Sequence, residues 1–596
     1  MREKHSMIGV ALRLLRNPLS AGCLAAVAVG AMAAQSAPES SDVTVFFDAH
    51  IYTADHERPY ADALAIAGDK ITAVGDLQSV LRAAGASAKR IDLHGKFLMP
   101  GMIDAHSHPI DGGLTLIQAR YPDTTDSIPD LVRFVSEQLQ QGSSRLGNTL
   151  VIYDLDLGFW PHAAEIDAAL SSGSFAKQPI VLFGSDGHTA WANEAARSHA
   201  GITQKYLRGL KPAERHYYGF DASYKPTGFV VDAGKSRLDQ SLPPPAADTM
   251  LAAGREAVHY MNSLGITGWL DAAVSGVVGG SVPASVKDPG FLPVYRELGK
   301  RGELTAHVTA YPVIQPDLGF QQIDVVQALQ AQYGDIPDFR IPGLKVFADG
   351  VVEIPSQTAA LTRPYLNSGQ STAVLFTPSK FDALVTEADR RGLMVHVHAI
   401  GDLAVKDTLD AFEAARQANP SGALPFTLTH AQFVDPEDVP RFAQLRVVAA
   451  LQLLWAVADP STNEQVKPFI DPAIYRSMYP ARSLLDSGAV IAGASDWPVS
   501  TANPFAAIYQ AETRSGPQGV LDAGQRMPRE AMLYAYTHNS AIVLNQLHDI
   551  GSLAPGKLAD LVLVDRDVLT VPAEELKDST VVWTMFRGKI VYGQAP

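Results

Sequence analysis

The sequence predicts an α/β fold: a (β/α)8 TIM barrel with a small β-sandwich domain built from both termini and an inserted subdomain after the first barrel strand. Three observations lead there. Eight short apolar segments of strand character alternate with helical patterns through the middle of the chain, as in a parallel α/β fold. Both ends are rich in short strands and turns. The gap after the first of the eight segments is far too long for a loop. At 596 residues the chain also exceeds one ordinary core. The expected domains are a signal peptide at 1–33, a composite β-sandwich from 43–96 and 555–596, a TIM barrel from 97–111 and 246–554, and an insertion at 112–245.

In chain order, Arg2, Lys4, Arg13 and Arg16 precede an apolar, Ala-rich run, and Ala31 and Ala33 frame an A-x-A site. This is the outline of a secretory signal peptide, too short to span a bilayer comfortably, and an uncleaved anchor is its alternative. The expected location is periplasmic or secreted, without a permanent membrane anchor. Cys23, the only cysteine, lies in that run. The mature chain then has no thiolate for a disulfide or a metal, so His, Asp, Glu or a modified Lys must hold any cation.

Residues 43–93 read as short alternating strands with turns, and 558–567 and 581–593 repeat the pattern, the latter turning at Arg587-Gly588. The barrel strands are expected at 97–106, 267–273, 306–313, 343–349, 393–399, 426–430, 447–452 and 489–496, with helices such as 380–391 and 404–418 between them. The insertion carries its own strands at 150–155 and 180–184. An open doubly wound sheet is the competing fold, but no G-x-G-x-x-G follows any of these strands. The formal net charge of -15, with no basic stripe to offset it, argues against nucleic acid or anionic lipid as partners.

In such barrels the chemistry sits at the C-terminal strand ends. Side chains two apart on a strand face the same way, so His106 and His108 can converge on one point. An isolated HxH is a weak signal, but later strand ends add Lys345, His396, His398, His430 and Asp496. Lys345 stands between Leu344 and Val346 in an apolar strand, where lysine is almost never buried without a partner. A lysine amine that captures CO2 becomes a carbamate able to bridge two cations. Imidazoles and carboxylates around it suit zinc first, then manganese, cobalt, nickel or iron.

The chain resembles the amidohydrolase superfamily, within it the YtcJ-like metal-dependent amidohydrolases, which are similar to N-substituted formamide deformylases. The matching pieces are PGMIDAHSHP at 100–109, SDGHTAWANEAA at 185–196, PTGFVVD at 226–232, KVFADG at 345–350, HAIGDLAV at 398–405, THAQ at 429–432, SDWPV at 495–499 and GSLAPGKLADLVLVD at 551–565.

The resemblance implies that His106, His108 and Asp496 hold one divalent metal, that His398 and His430 hold a second, and that carboxylated Lys345 bridges them. It implies hydrolysis of an amide C–N bond by a metal-activated hydroxide, with Asp496 as the catalytic acid and base. It places His188 near a small-molecule amide substrate, and Trp455 on the pocket wall beside Gln452-Leu453-Leu454, where the family usually carries Gln-Pro. His396 is read as a satisfied core histidine in preference to a support for the site. Asp186 and Asp349 are read as orienting or capping residues. His307 and the histidines without motif context are read as ordinary. Phe159, Trp160, Trp191, Trp455 and Trp497 fit either an aromatic pocket or core packing. A cyclic amidase, an esterase or a deaminase on the same barrel, and a catalytically silent binding protein, are the alternatives. Homo-oligomerisation is left open.

Overall fold

The computed structural model describes residues 43–122, 127–142, 144–274 and 290–594, so the signal-peptide segment at 1–33 lies outside the described residues. The first apolar segment of the predicted barrel divides at Gly101. Lys89–Pro100 belongs to a sheet of the chain ends, whereas Met102–Ser107, here β1, starts a parallel ladder. The boundary expected at 97 therefore moves to 102. A Cβ on residue 101 would lie 2.0 Å from Thr267 Oγ1, so only glycine lets the chain cross here from one sheet to the other.

The parallel strands continue as β2 (Ile266–Asp271), β3 (His307–Ala310), β4 (Gly343–Phe347), β5 (Met394–Ala399), β6 (Phe426–His430), β7 (Val447–Leu451) and β8 (Val490–Gly493). β1 pairs with β2 and β2 with β3. Val313–Ile314, just after β3, pairs with β4, and the ladder runs on through β5, β6 and β7 to β8. The Asp496 N–H donates to the His106 carbonyl at 2.8 Å, which brings the chain after β8 back to β1. Helices fill the connections, among them Pro378–Arg390 and Asp402–Ala418 around β5.

These strands are buried on both faces, so parity decides which layer a side chain joins. On β5, Val395, Val397 and Ala399 pack with Phe381, Leu384, Val405 and Phe412 of the flanking helices. Met394 joins the layer of small residues between the strands, with Ala105, Ala450, Ala492 and Ala494. His396 and His398 share the parity of Met394 and so belong to the inner side.

Strands from both ends of the chain form one seven-stranded sheet, in the order Lys589–Gly593, Val581–Phe586, Leu561–Val564, Lys89–Pro100, Val43–Tyr52, Tyr60–Ala67 and Lys70–Gly75. Phe46, Leu64 and Leu563 build the core on one face. Val45, Ala63 and Ala65 meet Val80 and Ala84 of helix Leu77–Ala84 on the other. Between helices Pro109–Ile117 and Ala247–Ser263 the chain forms a separate six-stranded sheet that includes Thr149–Leu155, Ile180–Gly184 and Pro226–Val231, with a core around Ile152, Leu182 and Trp191.

Candidate metal centre

The carboxyl ends of β1, β4, β5 and β6 and the turn after β8 deliver one buried cluster. His106 Nε2 lies 3.2 Å and His108 Nε2 3.1 Å from Asp496 Oδ1. Asp496 Oδ1 has no partner in hydrogen-bond geometry, so three lone-pair atoms surround a common point as ligands surround a cation. The His106 ring centroid is 5.1 Å from that of His430, which is 4.4 Å from that of His398. Lys345 is fully buried on β4, its Nζ without a hydrogen bond and 4.6 Å from the Phe347 ring centroid. His108 Nδ1 and His430 Nδ1 are likewise buried and unpartnered. Buried polar atoms are ordinarily paired, and an unpartnered Asp496 Oδ1 between two imidazole nitrogens suits a cation. Of the six residues singled out as ligands, His106, His108 and Asp496 bring ligand atoms together, while His430 and His398 adjoin them through ring contacts and Lys345 is buried nearby on β4.

Backbone and neighbouring groups fix this arrangement. His430 and Asp496 both adopt left-handed backbone, with φ of 72° and 59°, a conformation uncommon outside glycine and concentrated at functional positions. Asp104 accepts from the N–H groups of His106 and Ser495, at 3.1 and 3.0 Å, and ties β1 to the turn that carries Asp496. Asp349 accepts from Ala360, Ile400 and Gly401 N–H groups, the last two just beyond β5. Asp186 accepts from the N–H groups of His188 and Thr189, closing the turn that presents His188. The orienting roles expected of Asp349 and Asp186 are what these bonds provide. Asp104, two residues before His106 in the same motif, is an anchor that the strand pattern alone does not distinguish from a buried strand residue.

His396 corrects the reading of a satisfied core histidine. Its Nε2 is 2.6 Å from His106 Nδ1, and the rings stack at 4.9 Å, while its own Nδ1 has no partner. Strand parity puts it beside His398 on the inner side, where its contact is the His106 imidazole of the cluster. It holds His106 with Nε2 toward Asp496.

Burial sets the charge states. It lowers the Lys345 amine to about 7, with the Asp496 carboxylate opposing the shift, so a sizeable share is neutral and nucleophilic near neutral pH. Burial likewise holds the His106, His398 and His430 imidazoles below their usual range, helped by the Lys345 charge. Neutral imidazoles are the form that binds metal. Burial works against the Asp496 carboxylate, but His108, His430 and Lys345 outweigh it and keep the group ionised.

A cavity of about 1280 Å³ opens beside this cluster, between the insertion and the loops after β3 and β4. His188, Tyr217 and Asp232 line it from one side, Phe347, Gly350 and Leu375 from the other. The His188 ring is 5.9 Å from that of His398. Its Nδ1 meets Asp232 Oδ1 at 2.7 Å. Burial pulls the His188 imidazole down, but the Asp232 and Asp186 carboxylates outweigh it and raise it above its ordinary value. Trp455, expected on the pocket wall, is not among the residues lining this cavity; it stacks on His430 at 5.6 Å. Phe159, Trp160, Trp191 and Trp497 are buried in cores, which settles them as packing residues.

An α/β protein with a buried His/Asp/Lys cluster at the ends of parallel strands has the architecture of a metal-dependent hydrolase. The amidohydrolase family model matches residues 89–592, and the chain belongs to that family. Its relatives include N-substituted formamide deformylase from Arthrobacter pascens, 25% identical over 92% of this chain and 98% of that one. The putative amidohydrolase YtcJ from Bacillus subtilis is 24% identical over 91% and 98%. Among solved structures, a metal-dependent hydrolase from Pyrococcus furiosus superposes with a TM-score of 0.65 and 26% identity, covering 89% of this chain and all of that one (100%).

Proposed function

We propose that this protein is an exported hydrolase of a carboxamide C–N bond, built on a closed (β/α)8 barrel flanked by a sandwich-like terminal domain. The observation that carries the reading is the meeting of His106 Nε2 and His108 Nε2 on the buried Asp496 Oδ1, which has no hydrogen-bond partner, with His430 in ring contact with His106. His106, His108 and Asp496 would hold one divalent cation, zinc first among candidates, and His398 and His430 a second. Lys345, carboxylated, would bridge the two. His398 Nε2–H donates to the Gly350 carbonyl at 3.1 Å, so Nδ1 would be the atom available to a cation.

Bound cations of this kind acidify water and polarise a carbonyl oxygen. The chain's own part is proton movement and positioning. Asp496, ionised and beside His106 and His108, would accept the proton of the attacking water and return it to the leaving amine nitrogen. His188 faces the substrate from the insertion, and Trp455 backs His430. The name of the Arthrobacter relative points to N-substituted formamides as the first substrates to try. Residues 1–33 would direct export, leaving a cysteine-free mature chain in the periplasm or outside the cell.

The test is metal analysis of the purified protein together with chelator-sensitive hydrolysis of N-substituted formamides, N-acyl amines and N-acyl amino acids. Two metal equivalents and chelator-sensitive amide hydrolysis are expected. Two equivalents with no turnover on any amide, ester or cyclic amide would favour a binding protein.

A further inference from the structure

Asp232 stands at the N-terminus of helix Ala233–Asp239, where an aspartate ordinarily accepts from the helix's own first N–H groups. It makes no such cap. Its backbone is held at φ 45° and ψ -111°, a conformation rare for a residue with a Cβ, and its side chain turns away from the helix. The carboxylate instead meets His188 Nδ1 at 2.7 Å and also accepts from Thr358. The two segments are further tied by the Asp232 N–H donating to the His188 carbonyl at 3.0 Å. Space for the carboxylate comes from Gly350, since a Cβ there would lie 2.9 Å from Asp232 Oδ2 and 2.1 Å from Thr358 Oγ1.

An ionised carboxylate only accepts, so the His188 proton facing it sits on Nδ1, and Nε2 is the ring's remaining polar atom. His188 lines the cavity, within ring contact of His398. We propose that Asp232 is a positioning residue for catalysis: its carboxylate takes the His188 Nδ1–H and aims Nε2 at the scissile amide group of the bound substrate. The inference rests on the amide-hydrolase reading for the identity of that group, while the pairing itself stands on the geometry. A helix cap that forgoes its own helix and adopts a costly backbone to reach a histidine in another segment is serving the histidine.

The experiment uses zinc-loaded full-length protein with 15N-labelled histidine, His188→Gln to assign the His188 ring signals, and the variants Asp232→Ala and Asp232→Asn. In the wild type a slowly exchanging Nδ1–H signal is expected for His188. It should be lost in Asp232→Ala and partly restored in Asp232→Asn, with zinc content unchanged in both. On an N-substituted formamide, kcat should fall roughly 10–100-fold in Asp232→Ala with KM moving less, as for other residues that orient a functional imidazole. A His188 signal indifferent to Asp232→Ala overturns the proposal, as does loss of zinc on the scale of a ligand substitution. Absence of amide turnover by the wild type, with the His188 signal still dependent on Asp232, sinks the amide reading and upholds the pairing.

Discussion

His307 Nε2 lies 2.8 Å from Asp560, and His307 Nδ1 3.3 Å from Asp338, although the ring sits on a parallel strand and Asp560 just before a strand of the terminal sheet. Burial disfavours the charged ring, but Asp560 and Asp338 outweigh it and raise the imidazole to about 9. Arg587 extends the cluster, bonding Asp338 and Asp69. Because the folded value exceeds the ordinary 6.5, the stabilisation is fully present below about pH 6.5 and is lost as pH rises through about 9. Denaturant titrations should show the wild type losing on the order of 3 kcal/mol more than His307→Gln between pH 6 and 9.5. Equal losses in the two proteins would refute this linkage.

Replacing Asp496 by Asn keeps size and one ligand oxygen while removing the base. Fold and most of the metal should be retained, and turnover of a confirmed amide substrate should drop by roughly 10²–10⁴. Circular dichroism, metal analysis and steady-state rates check this together. Activity near the wild-type level would end the acid/base assignment.

For Lys345 the expectation is a carbamate. Protein equilibrated with 13C-bicarbonate and two zinc equivalents should show a carbamate carbon resonance that is absent from Lys345→Ala, and the variant should bind one equivalent or fewer. One metal per wild-type chain with an unmodified lysine would replace the bridged pair by a mononuclear centre.

His396 touches His106 and is not assigned as a ligand. His396→Leu should weaken zinc affinity by roughly 10–100-fold, measured by competition with a chelator, because His106 loses the group that orients it. Unchanged affinity would make the 2.6 Å contact incidental to the metal centre.

Much of this was legible from the chain itself, for a physical reason. Ligands at strand ends must sit at fixed offsets from apolar runs, so MIDAHSH, KVFADG and HAIGD announce both a strand and what it carries. The alternation of strands and helices survives in the observed order. What escaped was set by contacts between segments far apart in sequence. His307 has no local motif because its two carboxylates come from Asp338 and Asp560. His396 shares parity with His398, and only the approach of β1 shows that it meets His106. Asp232 closes an apolar run like many strand-ending aspartates, and its diversion to His188 depends on the insertion folding back. The crossing at Gly101 was hidden because the residues on both sides of it are apolar.

The pairing of Lys89–Pro100 with Leu561–Val564 joins the two extremities of the chain directly upstream of the histidine-bearing β1. During synthesis this sheet cannot be completed until the last segment has emerged, so the strand that leads into β1 gains its final neighbour late in folding. A chain cut short before residue 561 would leave Lys89–Pro100 with a bare hydrogen-bonding edge open to self-association. Intactness of the carboxyl end is thereby a condition for the front half of the site to settle.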